Sequence, residues 1–528
     1  MGAGGCWSRF WLGGVVLLGG AWLGCSNGPE IGPSSDLLTS IGCIGEVRAA
    51  PAPVRLLADV PITTTLEFSS CGHLLVDGRR LFDPRLEEQA SEADSIETSR
   101  FAPTGEWLSL RTGDRWILHA LGTGERHVVP LPSERANLGF AVRGEGKGSL
   151  PWVCADGRIL VWDDGAARTL AADSIDCNSI QAASHAPRIA FRGAEEEILV
   201  ADLDSIGSMQ VRGMGRTARS LAYVWEGRSL VRGDRFLLSA DGRYLFVQEV
   251  VAAAATDIYD EAIGPAEAVI LDARDGRVLG PVPARPALPE PHAFVEQVPG
   301  RGHGFLWEGP DRSYLLLSGG DVAELAATIL LHVGRDYVFA VSGGEVVWID
   351  LDARQNTLPL EGVITDKMWR LSVQFSEAGT ALTTTNSIGA PPGHPPLRVW
   401  SAAHGPYTVE QPGFFPPIWV GDDGRALAHS IDYDAILFDP RGLALASIPW
   451  PGVHHGKVEE TATGLLIRMS DGELGHLDTT TGAYESLATG VWSSVVAPDG
   501  QRAAWIATTP GAPDRGELWA GALPGATR

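Results

Sequence analysis

The chain has 528 residues, of which 44% are hydrophobic, and a formal net charge of −24 from 41 basic and 65 acidic side chains. This length is ample for a large buried core and ordinarily means two or more domains, although barrels and propellers of this size also form single domains. Such an acidic surface repels nucleic acid and anionic lipid headgroups, so neither is expected as a partner. Solubility in a crowded compartment is the simplest explanation of the acidity.

The N-terminus carries an apolar, glycine-rich run at residues 10–24, preceded by Arg9 as its only charged residue. Fifteen residues are too few for a membrane-spanning helix, which needs about 20, but they suit the apolar region of a secretory signal. The sequence WLGC at 22–25 resembles a bacterial lipoprotein signal, in which the cysteine is acylated and becomes the first residue. Trp22 departs from that pattern, which usually has Leu there. The resemblance implies a signal peptide at 1–24 and lipidation of Cys25, with ordinary signal cleavage as the alternative.

The residues after Cys25 also indicate where the lipoprotein would be located. Ser26 follows the cysteine, where Asp would retain a lipoprotein at the inner membrane under the enterobacterial sorting rule, so the resemblance suggests the outer membrane. Residues 25–40 are predicted to form a flexible tether. The expected location is the cell envelope, on the periplasmic or the outer surface, with the membrane contacted through the lipid alone.

Four cysteines remain after the signal and the anchor, namely Cys43, Cys71, Cys154 and Cys177. In an exported protein an even number favours disulfides, and four cysteines allow three pairings. Their order and short separations favour Cys43–Cys71 and Cys154–Cys177. Zinc is the competing interpretation, but no C-x-x-C and no histidine at ligand spacing accompanies them, so no metal site is predicted.

A two-part phrase recurs along the rest of the chain. Its first half places a turn glycine before an alternating apolar strand, as in SADGRYLFV (239–247) and APDGQRAAWI (497–506), and its second half is a strand ending in Asp or Gly, as in EAVILDARDG (267–276). Gly105, Gly242 and Gly379 hold the same position at equal separations of 137 residues. Each separation is about three units of 46, close to the 40–45 residues of a four-stranded propeller blade.

The phrase predicts an all-β protein, because a single unit cannot bury its own apolar face and must stack on copies of itself. We expect a β-propeller of about eleven four-stranded units, and an irregular set of hairpins in a β-sandwich is the competing fold. Closed rings usually have four to eight blades, so two propellers are expected, at 41–284 and 285–528, near the proline-rich stretch 280–292. One large propeller with long inter-blade loops is the alternative. The insertion at 250–268 is interpreted as an expanded hairpin within one blade.

The aromatic and ionisable residues form no recognised catalytic motif: no nucleophile elbow, H-E-x-x-H, phosphate loop or dinucleotide fingerprint occurs in the sequence. Strand tryptophans are expected to fill the space between sheets rather than to stack on a ligand: Trp162, Trp348, Trp400 and Trp519. Paired aspartates lack the run of oxygen ligands that Ca²⁺ needs and are interpreted as turn residues: Asp202/Asp204, Asp350/Asp352 and Asp432/Asp434. The histidines are scattered or lie in a surface turn: His292, His303, His332, His454 and His455. No catalytic residue, cofactor or metal is predicted.

The repeated phrase resembles that of TolB-like and WD-repeat propellers, in which S-x-D-G begins a strand and D-x-x-T-G follows one. The matching residues are Ser239, Asp241, Gly242, Asp478, Thr481, Gly482, Asp499 and Gly500. The resemblance covers most of residues 60–525 in degenerate copies. It implies a propeller fold and suggests a protein-binding platform at the cell envelope. In that family these positions are structural turns, so no functional site follows from them.

The sequence therefore favours a non-enzymatic envelope lipoprotein that binds a protein, peptide or polysaccharide on one face of a propeller. One alternative is a propeller enzyme, either a glycan lyase or hydrolase or a quinone-dependent dehydrogenase. Such an enzyme would need histidine, tyrosine or carboxylate side chains converging near the axis. The other alternative is a structural subunit of an outer-membrane assembly, which co-purification would reveal.

Overall fold

The structure is a computed structural model, in which the described residues begin at residue 52 and end at residue 525. They are 52–91, 96–131, 136–143, 148–163, 166–170, 174–203, 210–218, 231–252, 266–284, 295–297, 304–309, 311–317, 319–327, 329–334, 336–343, 345–352, 354–356, 373–376, 378–385, 397–409, 414–430, 434–450 and 456–525. The predicted signal peptide, Cys25, the tether and Cys43 lie outside these ranges and stay predictions.

Within the described ranges, forty-four strands form eleven four-stranded antiparallel sheets, which we number in chain order. The first strand, β1 (Val54–Pro61), belongs to the last sheet. Sheet 1 contains β2 (Leu66–Phe68), β3 (Leu74–Val76), β4 (Arg80–Phe82) and β5 (Glu88–Ser91). Sheet 2 contains β6 (Thr98–Phe101), β7 (Trp107–Thr112), β8 (Arg115–Ala120) and β9 (Arg126–Pro130). Sheet 3 contains β10 (Asn137–Val142), β11 (Ser149–Ala155), β12 (Arg158–Asp163) and β13 (Ala166–Leu170).

The next four sheets repeat this arrangement. Sheet 4 contains β14 (Asp176–Ala182), β15 (Arg188–Arg192), β16 (Glu197–Asp202) and β17 (Gln210–Thr217). Sheet 5 contains β18 (Val231–Leu238), β19 (Tyr244–Ala252), β20 (Ala266–Asp272) and β21 (Val278–Ala284). Sheet 6 contains β22 (Val295–Gln297), β23 (Phe305–Glu308), β24 (Ser313–Leu316) and β25 (Val322–Leu325). Sheet 7 contains β26 (Ile329–Val333), β27 (Tyr337–Ser342), β28 (Glu345–Asp350) and β29 (Gln355–Asn356).

The last four sheets complete the set. Sheet 8 contains β30 (Val373–Phe375), β31 (Ala381–Thr385), β32 (Leu397–Ser401) and β33 (Gly405–Val409). Sheet 9 contains β34 (Phe414–Val420), β35 (Ala426–Ser430), β36 (Asp434–Phe438) and β37 (Ala444–Pro449). Sheet 10 contains β38 (Lys457–Thr461), β39 (Gly464–Arg468), β40 (Leu474–Asp478) and β41 (Tyr484–Ala488). Sheet 11 contains β42 (Val491–Val496), β43 (Arg502–Thr509), β44 (Ala512–Ala522) and β1.

The sheets are the blades of a propeller, which confirms the predicted all-β fold and the count of about eleven units. Each of the eleven pairs of neighbouring sheets shares a cluster of buried apolar side chains among the described residues. One of these clusters joins sheet 11 to sheet 1. The core of the molecule is therefore a series of layers between sheets, and no sheet has to bury its apolar faces alone.

Closure of the last sheet depends on the N-terminal strand. Strand β1 pairs antiparallel with β44, with Val54 opposite Ala520 and Pro61 opposite Arg515. Leu56, Leu57 and Val60 of β1 contact the apolar cluster between sheets 11 and 1. The outer strand of sheet 11 thus comes from the opposite end of the chain from its other three strands.

The predicted division into domains at 41–284 and 285–528 falls between sheets 5 and 6, which share an apolar cluster that includes Phe246 and Trp307. Two separate rings would instead need sheet 5 to close onto sheet 1 and sheet 11 onto sheet 6. Among the described residues the sheets form one continuous series, in which each sheet packs on the next and sheet 11 packs on sheet 1. The division into two domains stays a prediction.

The repeated turns form as the phrase predicts. Gly105, Gly242 and Gly379 have φ values of 76°, 67° and 71°, in the left-handed region where glycine is favoured. The contacts of Ser239 explain why the phrase begins with a serine. Its Oγ accepts a hydrogen bond from the backbone N–H of Tyr244 at 2.9 Å and donates one to Asp241 Oδ1 at 2.7 Å. These residues therefore close turns, as the resemblance implies.

The insertion at 250–268 connects two strands of one blade, as expected. Strands β19 and β20, which flank it, pair directly, although residues 253–265 lie outside the described part.

The four strand tryptophans of interest also pack as expected. They contact apolar clusters between sheets, and the ring centroids of Trp348 and Trp400 are 4.7 Å apart. Trp116 and Trp307 are buried more completely.

One predicted disulfide is present. Cys154 on β11 and Cys177 on β14 are bonded, with Cα atoms 5.4 Å apart, so the bond links sheets 3 and 4. Cys71 is also disulfide-bonded, and its predicted partner Cys43 lies outside the described residues. Cross-links of this kind stabilise by restricting the unfolded chain.

Candidate binding site

The strands nearest the propeller axis carry the candidate site. Neighbouring sheets contact each other through their first strands, as β2 does with β42, β10 with β14 and β38 with β42. Since propeller blades surround a central channel, these first strands are the ones that line it. Their exposed side chains are mainly polar or charged, and one is a tryptophan: Thr98, Arg100, Asn178, Gln374, Lys457, Glu460 and Trp492.

Trp492 on β42 is 53% exposed, and it is the one exposed tryptophan among those whose burial is described. The pairing of β42 with β43 is irregular at this residue, because Val491 lies opposite Ala507 while Ser493 lies opposite Ile506. Such a bulge leaves one residue outside the regular ladder and redirects its side chain. The local irregularity therefore holds the indole of Trp492 away from the core between sheets 10 and 11.

A charged group on sheet 10 lies against the strand that carries Trp492. Lys457 Nζ is 2.9 Å from Glu459 Oε1 and donates to the carbonyl oxygen of Ser494 at 3.0 Å. Ser494 Oγ donates to Glu459 Oε2 at 3.2 Å. These contacts join β38 to β42, so the backbone around Trp492 is held by hydrogen bonds as well as by the sheet.

The other side of β38 faces sheet 9. Glu460 alternates with Glu459 along the strand, and its Oε1 accepts the indole N–H of Trp419 on β34 at 2.5 Å. Val458, on the same side of β38, packs against the apolar cluster between sheets 9 and 10. Three successive first strands are therefore connected by polar contacts.

We call the surface formed by Trp419, Lys457, Glu459, Glu460 and Trp492 the axial surface. It combines one exposed indole with both signs of charge on a backbone fixed by three sheets. Tryptophans of this kind provide contact area to protein partners and stack on flat apolar faces of ligands. The arrangement suits recognition of an extended partner.

A serine–histidine contact elsewhere is structural. Ser69 Oγ lies 3.5 Å from His73 Nδ1, but the same oxygen accepts the backbone N–H of His73 at 3.0 Å, as Ser239 does for Tyr244 in its turn. Burial lowers the pKa of His73 to about 4, so its imidazole is neutral at pH 7 and a weak base. We interpret this pair as a blade turn.

The other histidines and aspartates of interest in the sequence make local contacts away from the axial surface where they are described. His332 on β26 stacks on Phe375 with ring centroids 4.9 Å apart, and burial lowers its pKa. Asp202 pairs with Arg188, and Asp350 accepts the N–H of Asp352, both as local structural contacts. No three His, Cys, Asp or Glu side chains are grouped to hold a metal ion within the described ranges. His292, His303, His454 and His455 lie outside those ranges.

Trp492 does not stand out as a site residue in the sequence. The available signal was the segment VWSSVV at 491–496, where Ser493 and Ser494 interrupt strict alternation of apolar and polar residues. An interrupted alternation indicates a bulge, and a large side chain at a bulge is a candidate for exposure. The segment alone does not show that this strand lies at the axis.

No protein family matches the chain, and no curated protein matches it. Among solved structures it is similar to a eukaryotic initiation factor, with 11% identity over 85% of this chain and 91% of that chain and a TM-score of 0.36. It is also similar to the Cps50 (Swd1) β-propeller domain of Myceliophteria thermophila, with 13% identity over 65% and 94% of the two chains and a TM-score of 0.27. The tricorn protease matches with 10% identity over 85% of this chain and 60% of that chain, at a TM-score of 0.27. These similarities carry no functional argument.

Among the described residues, no helix is long and apolar enough to cross a bilayer.

Proposed function

We propose that this protein is a non-enzymatic cell-envelope lipoprotein whose propeller binds a protein, peptide or polysaccharide at the axial surface. The observation that carries the proposal is the exposed Trp492, at a bulge in β42, the strand whose Ser494 contacts Lys457 and Glu459 of β38. A buried position would remove this large apolar side chain from water, so its exposure has a cost that a partner could offset.

The charged residues near β42 indicate what kind of partner the axial surface would bind. Lys457 and Glu459 neutralise each other at 2.9 Å, so the axial surface presents no strong field of one sign at this point. A partner with mixed polarity, such as a peptide or a neutral polysaccharide, fits better than a polyanion or a polycation. Alternating hydrogen-bonding groups on β38 and a flat indole on β42 would contact such a partner over several residues.

Replacing Trp492 with Ala should reduce partner capture by about tenfold or more, because tryptophans at interface centres contribute disproportionately to affinity. The exposed side chain leaves folding unaffected. The measurement uses the immobilised chain without residues 1–25 and an envelope extract, with captured proteins identified by mass spectrometry and captured polysaccharide by monosaccharide analysis. Binding of the captured species is then measured against each variant by surface plasmon resonance.

Leu443→Ala is the matched control, since Leu443 is 63% exposed in the turn between β36 and β37 of sheet 9. This variant should bind as the unmodified chain does. Equal binding by the Trp492 and Leu443 variants would contradict the axial surface as the site. Turnover of a glycan, ester or alcohol that Glu460→Gln abolishes would instead establish the enzyme alternative.

Anchoring to the membrane through Cys25 is tested separately. Cys25→Ala should move the protein from the membrane fraction to the soluble fraction, because the lipid is its only expected contact with the bilayer. Cys6→Ala is the control, since Cys6 lies within the predicted signal and is removed with it. Fractionation followed by immunoblotting measures both. Membrane association of the Cys25 variant at the level of the control would refute lipid anchoring.

A further inference from the structure

Arg468, the last residue of β39, is a partly buried cation for which the described residues supply no partner. Its Nε is enclosed without a hydrogen bond, and within the described part of the chain no ion pair joins its guanidinium to another side chain. Partial burial removes a charge from some of its water, which is unfavourable unless hydrogen bonds or an opposite charge replace that water. The guanidinium therefore has donors available for a group from outside the blade.

The side chain of Arg468 lies on the face of sheet 10 that meets sheet 11. Leu466, two residues earlier on β39, belongs to the apolar cluster between these sheets, and side chains two residues apart in a strand share a face. Lys457 lies directly opposite Arg468 and donates to the Ser494 carbonyl oxygen of β42. Because like charges at opposite positions repel, the pairing of β38 with β39 adds a second positive group beside Arg468 and does not neutralise it.

Arg468 also lies at the end of sheet 10 that is nearest to Trp492. The turn at 469–473 follows Arg468, and in this turn the Gly472 carbonyl oxygen accepts the backbone N–H of Val491 at 2.7 Å. Val491 directly precedes Trp492, the exposed indole of the axial surface. An unpaired guanidinium and an exposed indole therefore lie at the same end of the junction between sheets 10 and 11.

Arginines in the equivalent place of two other sheets have a carboxylate from their own blade. In each of these sheets the arginine lies opposite the first residue of the first strand. Arg192 of sheet 4 has Nη1 3.0 Å from Oδ2 of Asp176, which is that first residue. Arg111 of sheet 2 has Nε 2.9 Å from Oε2 of Glu97, which directly precedes it. The comparison shows which group Arg468 lacks.

Sheet 10 supplies no carboxylate at either position. Lys457 is the first residue of β38, and Gly456 precedes it. A Cβ at Gly456 would lie 2.0 Å from the ring of Trp450, so no side chain fits there. Glu459, the next residue of β38 on the same face, has its two oxygens in contact with Lys457 and Ser494. A carboxylate for Arg468 therefore has to come from another molecule.

We infer that the partner of the axial surface is a peptide, and that a glutamate or aspartate of this peptide supplies the carboxylate to Arg468. This inference rests on the proposed binding at the axial surface. The planar guanidinium matches a carboxylate in shape and charge, and Trp492 would contact the flanking residues of the peptide.

The burial of Arg468 favours a peptide over an acidic polysaccharide. Since Nε of Arg468 is enclosed, only the outer nitrogens of the guanidinium are within reach of a partner. A glutamate carries its carboxylate at the end of a narrow, flexible side chain, which can reach them. The carboxylate of a uronic acid is attached directly to the sugar ring, so the whole ring would have to enter.

The test uses an array of paired heptapeptides with capped ends, in which the central residue is Glu in one member of each pair and Gln in the other. The other positions vary from pair to pair. The labelled chain without residues 1–25 is applied to the array, and surface plasmon resonance then measures its affinity for the pairs with the highest signal. We expect the Glu peptides to bind about tenfold more tightly than their Gln counterparts, because a charge-assisted pair replaces a neutral contact.

Equal binding of the two members of each pair would overturn the inference, as would the absence of peptide binding. Tighter binding of polygalacturonate than of any Glu peptide would also overturn it, because the carboxylate would then belong to a polysaccharide.

Arg468→Gln locates the contact. This variant should bind the Glu and Gln peptides equally, with the affinity that the unmodified chain has for the Gln peptide. Arg441→Gln is the matched control, since it removes the same charge from an exposed turn of sheet 9 and should keep the preference for Glu. A preference for Glu that persists in the Arg468 variant would refute the inference.

Thermal unfolding shows whether Arg468 has a structural role instead. Arg468→Gln removes a charge that lies opposite Lys457, so this variant should melt at or above the melting temperature of the unmodified chain. A clearly lower melting temperature would show that the guanidinium is satisfied within the fold, and would overturn the inference.

Trp492→Ala separates the inference from the proposed function. This variant should bind both members of each pair more weakly and keep the preference for Glu, because Arg468 is intact. Binding that depends on Trp492 but shows no preference for Glu in the unmodified chain would refute the inference and support the axial surface as the site. Peptide binding that Trp492→Ala leaves unchanged would contradict the axial surface itself.

Discussion

A chain that begins at Ile62, and therefore lacks β1, should be less stable by at least about 4 kcal/mol than a chain that begins at Ala52. Strand β1 supplies the fourth strand of sheet 11 and the apolar side chains of Leu56, Leu57 and Val60. Without it, the edge of β44 and part of the cluster between sheets 11 and 1 are exposed to water.

Urea unfolding monitored by tryptophan fluorescence measures the loss, and light scattering measures association through the exposed edge, which we also expect. Both chains lack Cys43, so the difference between them reports β1 and not the predicted Cys43–Cys71 bond. Equal unfolding midpoints would show that the pairing with β44 contributes nothing, and that sheet 11 is complete with three strands.

Arg502→Gln should reduce the free energy of unfolding by about 3 kcal/mol, because it breaks a buried ion pair from one side. The Arg502 side chain is 3% exposed, and its Nη2 lies 2.8 Å from Asp499 Oδ2. Its Nη1 donates to the carbonyl oxygens of Gly72 and Pro84 in sheet 1, each at 3.3 Å. One side chain of sheet 11 thus satisfies backbone groups of sheet 1.

Arg515→Gln is the matched control for Arg502. Arg515 also belongs to sheet 11, and its pair with Asp59 is exposed, so water screens it and the unfolding midpoint should change little. Chemical denaturation of the two variants side by side checks both expectations. An equal effect of the two substitutions would contradict the assignment of Arg502 as the contact that ties the two sheets together.

The turns and the number of blades could be predicted because they depend on local chemistry. A glycine with positive φ and a serine that accepts a nearby N–H, as at Gly242 and Ser239, leave their pattern within a few residues of sequence. The spacing of such patterns gives the number of units. How the units close depends on β1 pairing with β44, a contact between distant residues that no local pattern records.

The candidate site could not be predicted for a related reason. The segment around Trp492 shows an interrupted alternation, but its exposure depends on which strand lies at the axis. That position follows from the arrangement of all eleven blades, which no segment of a few residues records.

The position of β1 also sets an order of events in folding. Val54 pairs with Ala520, so 466 residues separate the partners, and the strand that is synthesised first is paired last. Contacts over such separations form slowly because a long loop must close before they contribute. Until β44 is available, β1 has to remain unpaired. The charged residues Arg55 and Asp59 along it oppose premature association with other chains, and they later pair with Glu517 and Arg515 in the completed sheet.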